Sequence, residues 1–401
     1  MLLDRKFASW FLISFFYAYQ YVLRVLPNIV SNIVMDKFNV GILAFGQFSG
    51  LYYIGYTLAH IPVGIMLDRY GPKKIIPIFI AVTFIGLVPL LFNSWIFVQI
   101  GRIIVGIGSV VGALGIFKIS NMYFPGTFAR MVGCSIIIGL LGAMYGGLPV
   151  SSLINIYGWM SLVLGLIIIG AILCIVMYFV MIPSESNGYD NNFVNQFKLI
   201  ICNKNILLIS LFAGLMVGPL EGFADGWATV FLLTIGMSSE TAKLLPSAIF
   251  CGMCVGSFVI PYMLERSFNS WNIVISCAAI MCISLFLLFA VCDSVLCVFI
   301  LFLIIGFCSA YQIVATCNAV TYSDGRSVAL VTAISNMIIM CFGYIFHTII
   351  SWIVHLYWDG RIVEGIAVYE IDLLIKALMV IPIGLIIGLV GFVWIKYRIR
   401  N

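Results

Sequence analysis

Gly64-Ile65-Met66-Leu67-Asp68-Arg69-Tyr70-Gly71-Pro72-Lys73-Lys74 gathers four charges and two glycines in a chain that is 63% hydrophobic and 9% charged. Apolar runs of membrane-spanning length lie on both sides of it. The stretch therefore reads as a tight, water-exposed turn between two helices. Asp68 falls where the first helix ends, and Arg69, Lys73 and Lys74 fall on the aqueous side.

A water-soluble globule carries roughly 25% charged residues, so the composition excludes one. Apolar runs of about 20 residues recur along the whole length, each long enough to cross hydrocarbon. Backbone groups in lipid must be satisfied within their own segment, which makes the spans helices. The expectation is an all-α membrane protein with twelve transmembrane helices. The first six spans read as 7–35, 41–67, 75–92, 95–122, 130–154 and 159–182. The second six read as 205–235, 240–264, 271–291, 295–322, 327–354 and 372–396. Residues 183–205, with Ser, Asn, Gly, Glu, Asp and Lys, read as a cytoplasmic linker between a bundle of 1–182 and a bundle of 206–401. Residues 355–372 form the other sizeable exposed piece.

The net charge of +5 records topology and not a nucleic-acid partner. Arg5, Lys6, Arg69, Lys73, Lys74, Arg130, Lys198, Lys204, Arg266, Arg326, Lys396, Arg398 and Arg400 fall on one side of this arrangement. Only Lys37, Lys243, Arg361 and Lys376 fall on the other, while Arg24, Arg102 and Lys118 lie within helices. That bias places both termini in the cytoplasm. No cleavable signal is evident: the first apolar run lacks a small-residue cleavage site and carries Arg24. Twelve cysteines are scattered through apolar segments. Even Cys251-x-x-Cys254 lies inside a span, where small hydrophobes are the simpler reading than metal or redox chemistry.

Polarity is unevenly shared. Spans 3, 6, 9 and 12 are almost wholly apolar, whereas spans 1, 2, 4, 7, 10 and 11 carry the polar and ionisable groups. A helix apolar all round can face lipid; one with charges must face protein or water. Every third helix being lipid-like implies a three-helix repeat with its third member outside. Pro261-x-x-x-Glu265-Arg266, between spans 8 and 9, is a worn copy of Gly64-x-x-x-Asp68-Arg69, 197 residues further on. The same offset carries Arg24 to Glu221 and Asn28 to Asp225. If the halves are related by a two-fold axis along the membrane normal, Arg24 and Glu221 face each other across a central cavity.

Tyr17, Tyr21, Arg24 and Asn28 recur at helical spacing on span 1. Two phenols, a guanidinium and an amide make a site for a carboxylate or phosphate. The alternative is an Arg24 permanently paired with Glu221 or Asp225. Span 7 carries Gly214, Gly218, Glu221 and Asp225 on one face. Desolvation lifts a mid-membrane carboxylate towards a pKa at which it exchanges protons, so Glu221 and Asp225 are either proton-coupling groups or fixed counter-ions. Gln312, Thr316 and Asn318 on span 10 complete the substrate-binding set or line the cavity. Ser49, Tyr53, Tyr56 and His60 on span 2, and Asn336 and His347 on span 11, read as cavity lining, both histidines as hydrogen-bonded neutral imidazoles.

The eleven-residue turn resembles the signature loop between helices 2 and 3 of the major facilitator superfamily, with every signature position filled. Gly101-Arg102-Ile-Ile-Val-Gly106-Ile-Gly108 resembles that superfamily's second signature; Arg102 either bonds backbone carbonyls or influences a protonation site. A third signature, associated with antiporters, is incomplete: Ile138 and Ala143 stand where it has Gly and Pro, although Gly142, Gly146 and Gly147 are kept. The resemblance implies two six-helix halves related by a pseudo-two-fold axis, each built of inverted three-helix repeats. It also implies a secondary transporter working by alternating access on a small anionic or zwitterionic organic solute, with protons as the coupling ion. Gly64, Asp68, Arg69, Gly71, Lys73, Lys74, Arg102, Glu265 and Arg266 would form its conformational latch. It would act as a monomer in a bacterial inner membrane, with no cofactor. No ATP-binding loop, nucleophile elbow or His-Glu-x-x-His is present, so neither an enzyme nor an ATP-driven pump is expected. The alternatives are a drug/proton antiporter, against which the cationic Arg24 argues, and a membrane sensor, for which no output domain is seen.

Overall fold

The computed structural model describes residues 2–124, 127–182, 198, 200–266, 268–291, 294–322, 328–360, 362–363, 366–367 and 369–400. Side chains are described for these except at 2–4, 68, 128–129, 265, 291, 328–329, 362–363, 366–367 and 399–400. The greater part of the expected linker, at 183–197 and 199, lies outside the described residues, as do the side chains of Asp68 and Glu265.

Helices occupy all twelve expected spans. Among the described residues, ten are long and apolar enough to cross a membrane. The bent pair Arg130–Tyr145 and Leu148–Tyr157, at 45°, supplies an eleventh. The remaining span is the first, Leu2–Val25 with Pro27–Phe38, made less apolar by its tyrosines, Gln20 and Arg24. Among the described residues, Ile362–Val363 pairs antiparallel with Ile366–Ala367 between spans 11 and 12. The rings of Trp358 and Tyr369, 5.8 Å apart, flank it in sequence.

Several spans are not continuous, and proline is the usual cause. Spans 1, 5, 7 and 8 each restart at or beside one: Pro27, Pro149, Pro219 and Pro246. Proline lacks the N–H that would continue the ladder, yet its fixed φ suits a helix start. The turn that opened the sequence analysis is shorter than a loop. Span 2 runs Ile42–Tyr70, and the next helix begins at Pro72. Gly71 alone turns the corner, at φ 81° and ψ 154°, a region essentially restricted to glycine. Gly158, between spans 5 and 6, repeats the device at φ 82° and ψ 160°. In an inverted three-helix repeat these two corners are equivalent, and their matching backbones are a structural trace of it.

The chain divides into two compact units. One takes Met1–Leu26, Asp36–Asn39 and Leu51–Asp190; the other takes Pro27–Met35, Val40–Gly50 and Asn191–Asn401. Each is knitted by the same kind of contact. In the first, the hydroxyls of Ser14 on span 1 and Ser135 on span 5 meet at 2.7 Å. In the second, Ser210 on span 7 donates to Ser335 on span 11 at 2.9 Å. These pairs lie 196 and 200 residues apart in sequence, matching the offset read from the worn turn signature. Without water to drive helices together, such small-residue contacts and interhelical hydrogen bonds are what hold a bundle.

Candidate functional site

In the first unit, two buried arginines are set among tyrosines. Arg24, 7% exposed, stands at the end of Leu2–Val25, its guanidinium 5.0 Å from the Tyr21 ring and 5.5 Å from that of Tyr53. Tyr17 stands edge-on to Tyr21 at 5.0 Å, with their hydroxyls 3.5 Å apart. Three of the expected binding residues on span 1, Tyr17, Tyr21 and Arg24, are therefore together. Span 2 contributes the Tyr53 face and, beyond it, Tyr52, Tyr56 and His60. Tyr52 stacks on Tyr56 and donates its hydroxyl to Gln20, and Tyr56 lies against His60. His60 is buried and its Nδ1 has no hydrogen-bond partner among the described residues. Gln20 and Tyr52 were not singled out by the sequence; the tyrosine run Tyr52-Tyr53-x-x-Tyr56 was the available signal.

Arg102 resolves its own alternatives within this unit. It donates from Nη1 to the Leu23 carbonyl at 2.7 Å and from Nη2 to the Arg24 carbonyl at 3.0 Å, under the ring of Tyr52. In an unbroken helix the Leu23 carbonyl would accept from residue 27, but Pro27 has no N–H to give. A carbonyl left bare in a membrane is costly. Arg102 supplies the missing donor and fixes the backbone that carries Arg24. It is a brace for the break in span 1.

The second unit contains the break in span 7. Between Lys204–Leu215 and Ala228–Thr234, residues Gly218–Trp227 wind as a π-helix. Such wide turns are rare and concentrate at functional sites. Glu221 and Asp225 lie on this segment, 1% and 2% exposed. Asn28 holds it: its amide Nδ2 donates to the Ala224 carbonyl at 3.0 Å, and its Oδ1 accepts from the Thr229 N–H at 3.2 Å. The sequence reading placed Asn28 with Arg24 as a ligand; its amide is engaged at both ends with span 7 backbone. Tyr311 of span 10 braces the helix just before the break, donating to the Ala213 carbonyl at 2.6 Å. Spans 4 and 10 thus play matching parts in their respective units.

The glycines of span 7 form their own stripe. A Cβ on Gly214 would lie 2.3 Å from the Phe342 ring, on Gly222 2.9 Å from Phe346, and on Gly226 2.3 Å from His347. Glycine at every fourth residue lets span 11 press directly on the backbone. Glu221 and Asp225 each follow a stripe glycine by three residues. Span 2 meets span 11 in the same unit: a Cβ on Gly46 would overlap Ser351, and on Gly50 it would lie 2.8 Å from the Tyr344 ring.

The other expected residues are dispersed. Gln312 is half-buried and Asn318 buried on Tyr311–Val320, and neither amide nitrogen has a hydrogen-bond partner among the described residues. Six residues apart on a helix, they point to different sides. In the turn region, Arg69 and Lys74 are exposed and Lys73 half-exposed; Arg69 stacks on Tyr70. A Cβ on Gly64 would make only ordinary contact with Leu114, at 3.8 Å. Arg266, where the second copy ends, donates from Nε to the Tyr262 hydroxyl at 2.9 Å.

The family model described as Major Facilitator Superfamily matches residues 10–348. No curated protein matches. Among solved structures, a bacterial homolog to the human lysosomal transporter Spinster, inward-facing and unoccupied, aligns at TM-score 0.73 and 15% identity. The alignment covers 97% of this chain and 96% of that one. The nucleoside transporter NupG aligns at TM-score 0.75 and 13% identity, covering 97% and 99%. At these identities the likeness is one of fold.

Proposed function

From the premise that the chain belongs to the major facilitator superfamily, and is therefore a multi-pass membrane protein and secondary transporter, we propose that it takes up a small anionic or zwitterionic organic solute together with protons. The observation that carries this reading is Arg24, a buried guanidinium held against the faces of Tyr21 and Tyr53. A planar, two-pronged donor on an aromatic bed recognises a carboxylate or phosphate. A charge at membrane depth is costly enough to mark a substrate or ion pathway by default. Glu221 and Asp225 on the π-segment are the proton-coupling groups. Substrate binding at Arg24 and proton uptake by Glu221 are coupled, so each ligand promotes binding of the other.

The two halves, 1–182 and 206–401, alternate access about the linker 183–205, with both termini cytoplasmic in a bacterial inner membrane and the monomer as the working unit. The contacts of Gly46 and Gly50 with span 11, and of Asn28 with span 7, are ones that alternating access would make and break. The Asp68 turn, with Arg69, Lys73 and Lys74, and its worn copy at Glu265-Arg266 are the latch on the inner side.

The test uses Arg24→Lys and Glu221→Gln in proteoliposomes. Arg24→Lys weakens substrate binding, because the fork is lost while the charge is kept. Glu221→Gln abolishes proton-driven accumulation but leaves substrate exchange. Accumulation surviving in a folded Glu221→Gln protein overturns the coupling role.

A further inference from the structure

We propose that the solute carries its anionic group on a flat aromatic ring with a hydrogen-bonding group at the far edge, as a hydroxyaryl carboxylate does. The inference rests on Arg24 as the anion site and specifies what the rest of the solute must be. From Arg24 a row of rings runs along span 2, all of it within the first unit. The guanidinium lies 5.5 Å from the Tyr53 ring, and Tyr53 stands edge-on to Tyr52 at 5.5 Å. Tyr52 lies within 23° of parallel to Tyr56 at 6.1 Å, and Tyr56 meets the His60 ring at 5.3 Å. Tyr53, Tyr56 and His60 share one helix face. Seven residues separate the ends of that face, so the row is about 10 Å long. Every member is buried, at 8% exposure or less.

The row ends on a polar atom that nothing answers. His60 is 3% exposed, and its Nδ1 has no hydrogen-bond partner among the described residues. Burying such an atom unmet is costly, and a ligand group that reaches it recovers the cost. A ligand hydroxyl both donates and accepts, so it serves Nδ1 in either tautomer of the imidazole. Between the two ends, Tyr52 is fixed by its hydroxyl on Gln20 and by the Arg102 guanidinium 5.1 Å from its ring. The tyrosines therefore form a pre-set surface for edge and face contacts with another ring, which an aliphatic chain cannot reciprocate. A short aliphatic acid reaches Arg24 and leaves His60 bare.

The probes are 4-hydroxycinnamate; cinnamate, which lacks the far hydroxyl; and 6-hydroxyhexanoate, which lacks the ring. Binding of each radiolabelled acid to the purified full-length chain is measured by equilibrium dialysis. 4-Hydroxycinnamate is expected to bind at least about tenfold more tightly than either relative. His60→Phe removes the advantage over cinnamate, and His60→Asn, which keeps a hydrogen-bonding group, retains part of it. Tyr56→Leu narrows the advantage over 6-hydroxyhexanoate. Equal affinity of the unaltered chain for all three acids, lost in Arg24→Lys, overturns this inference and leaves the anion reading standing. The tenfold preference with affinities unchanged in Arg24→Lys overturns the anion reading instead. No binding of 4-hydroxycinnamate to the unaltered chain, or a folded His60→Phe protein that keeps the full advantage over cinnamate, also overturns the inference.

Discussion

Asn28→Ala is the substitution that bears most directly on how this transporter opens. The side chain makes two hydrogen bonds to span 7, at 3.0 Å to the Ala224 carbonyl and 3.2 Å from the Thr229 N–H. Interhelical hydrogen bonds in membrane proteins average about 0.6 kcal/mol and reach about 1.7. Both groups on span 7 are buried backbone atoms, so the pair is worth about 1–3 kcal/mol together, with none of it recovered by alanine. If the contact exists only when the outer side is closed, its loss shifts the closed–open equilibrium roughly 5- to 150-fold towards opening. Ser351, fully buried against Gly46, reports on this. A single cysteine at Ser351→Cys, in a background lacking reactive native cysteines, is labelled from outside intact cells by an impermeant maleimide. Labelling accelerates at least about fivefold when Asn28→Ala is added. An unchanged rate in a well-folded protein refutes the reasoning and returns Asn28 to the role of a substrate ligand.

Gly71→Ala forces an L-residue into φ 81°, ψ 154° and costs about 1–3 kcal/mol. Gly64→Ala meets only an ordinary contact at 3.8 Å and leaves stability within about 0.5 kcal/mol; equal denaturation midpoints for the two would contradict the corner geometry. Arg102→Lys keeps the charge but cannot serve both the Leu23 and Arg24 carbonyls, so stability falls by roughly 1–2 kcal/mol. Its transport should be lost along with Arg24 positioning, and wild-type kinetics would exclude the brace. Single cysteines placed in 183–205 should resist external labelling if the linker is cytoplasmic; labelling there would reverse the topology.

Much of this protein was legible from residue order alone. Hydropathy runs located the helices, because a helix in lipid must satisfy its own backbone and that requirement is local. Gly71 and Pro72 marked a tight turn, which the structure narrows to the single residue Gly71. Arg24, Glu221 and Asp225 stood out because an ionisable group at membrane depth is expensive wherever it occurs. What the tertiary structure alone decided is who answers whom. Arg102 braces carbonyls 78 and 79 residues away, and Asn28 clasps backbone 196 and 201 residues away. Neither partner is a side chain, so no residue type advertised it. The π-winding of Gly218–Trp227 was likewise hidden, because Gly-Pro permits a break without dictating what fills it. Span 11 pressing on a glycine stripe, Asn28 on the adjoining backbone and Tyr311 before the break fix that winding, and the two buried carboxylates with it.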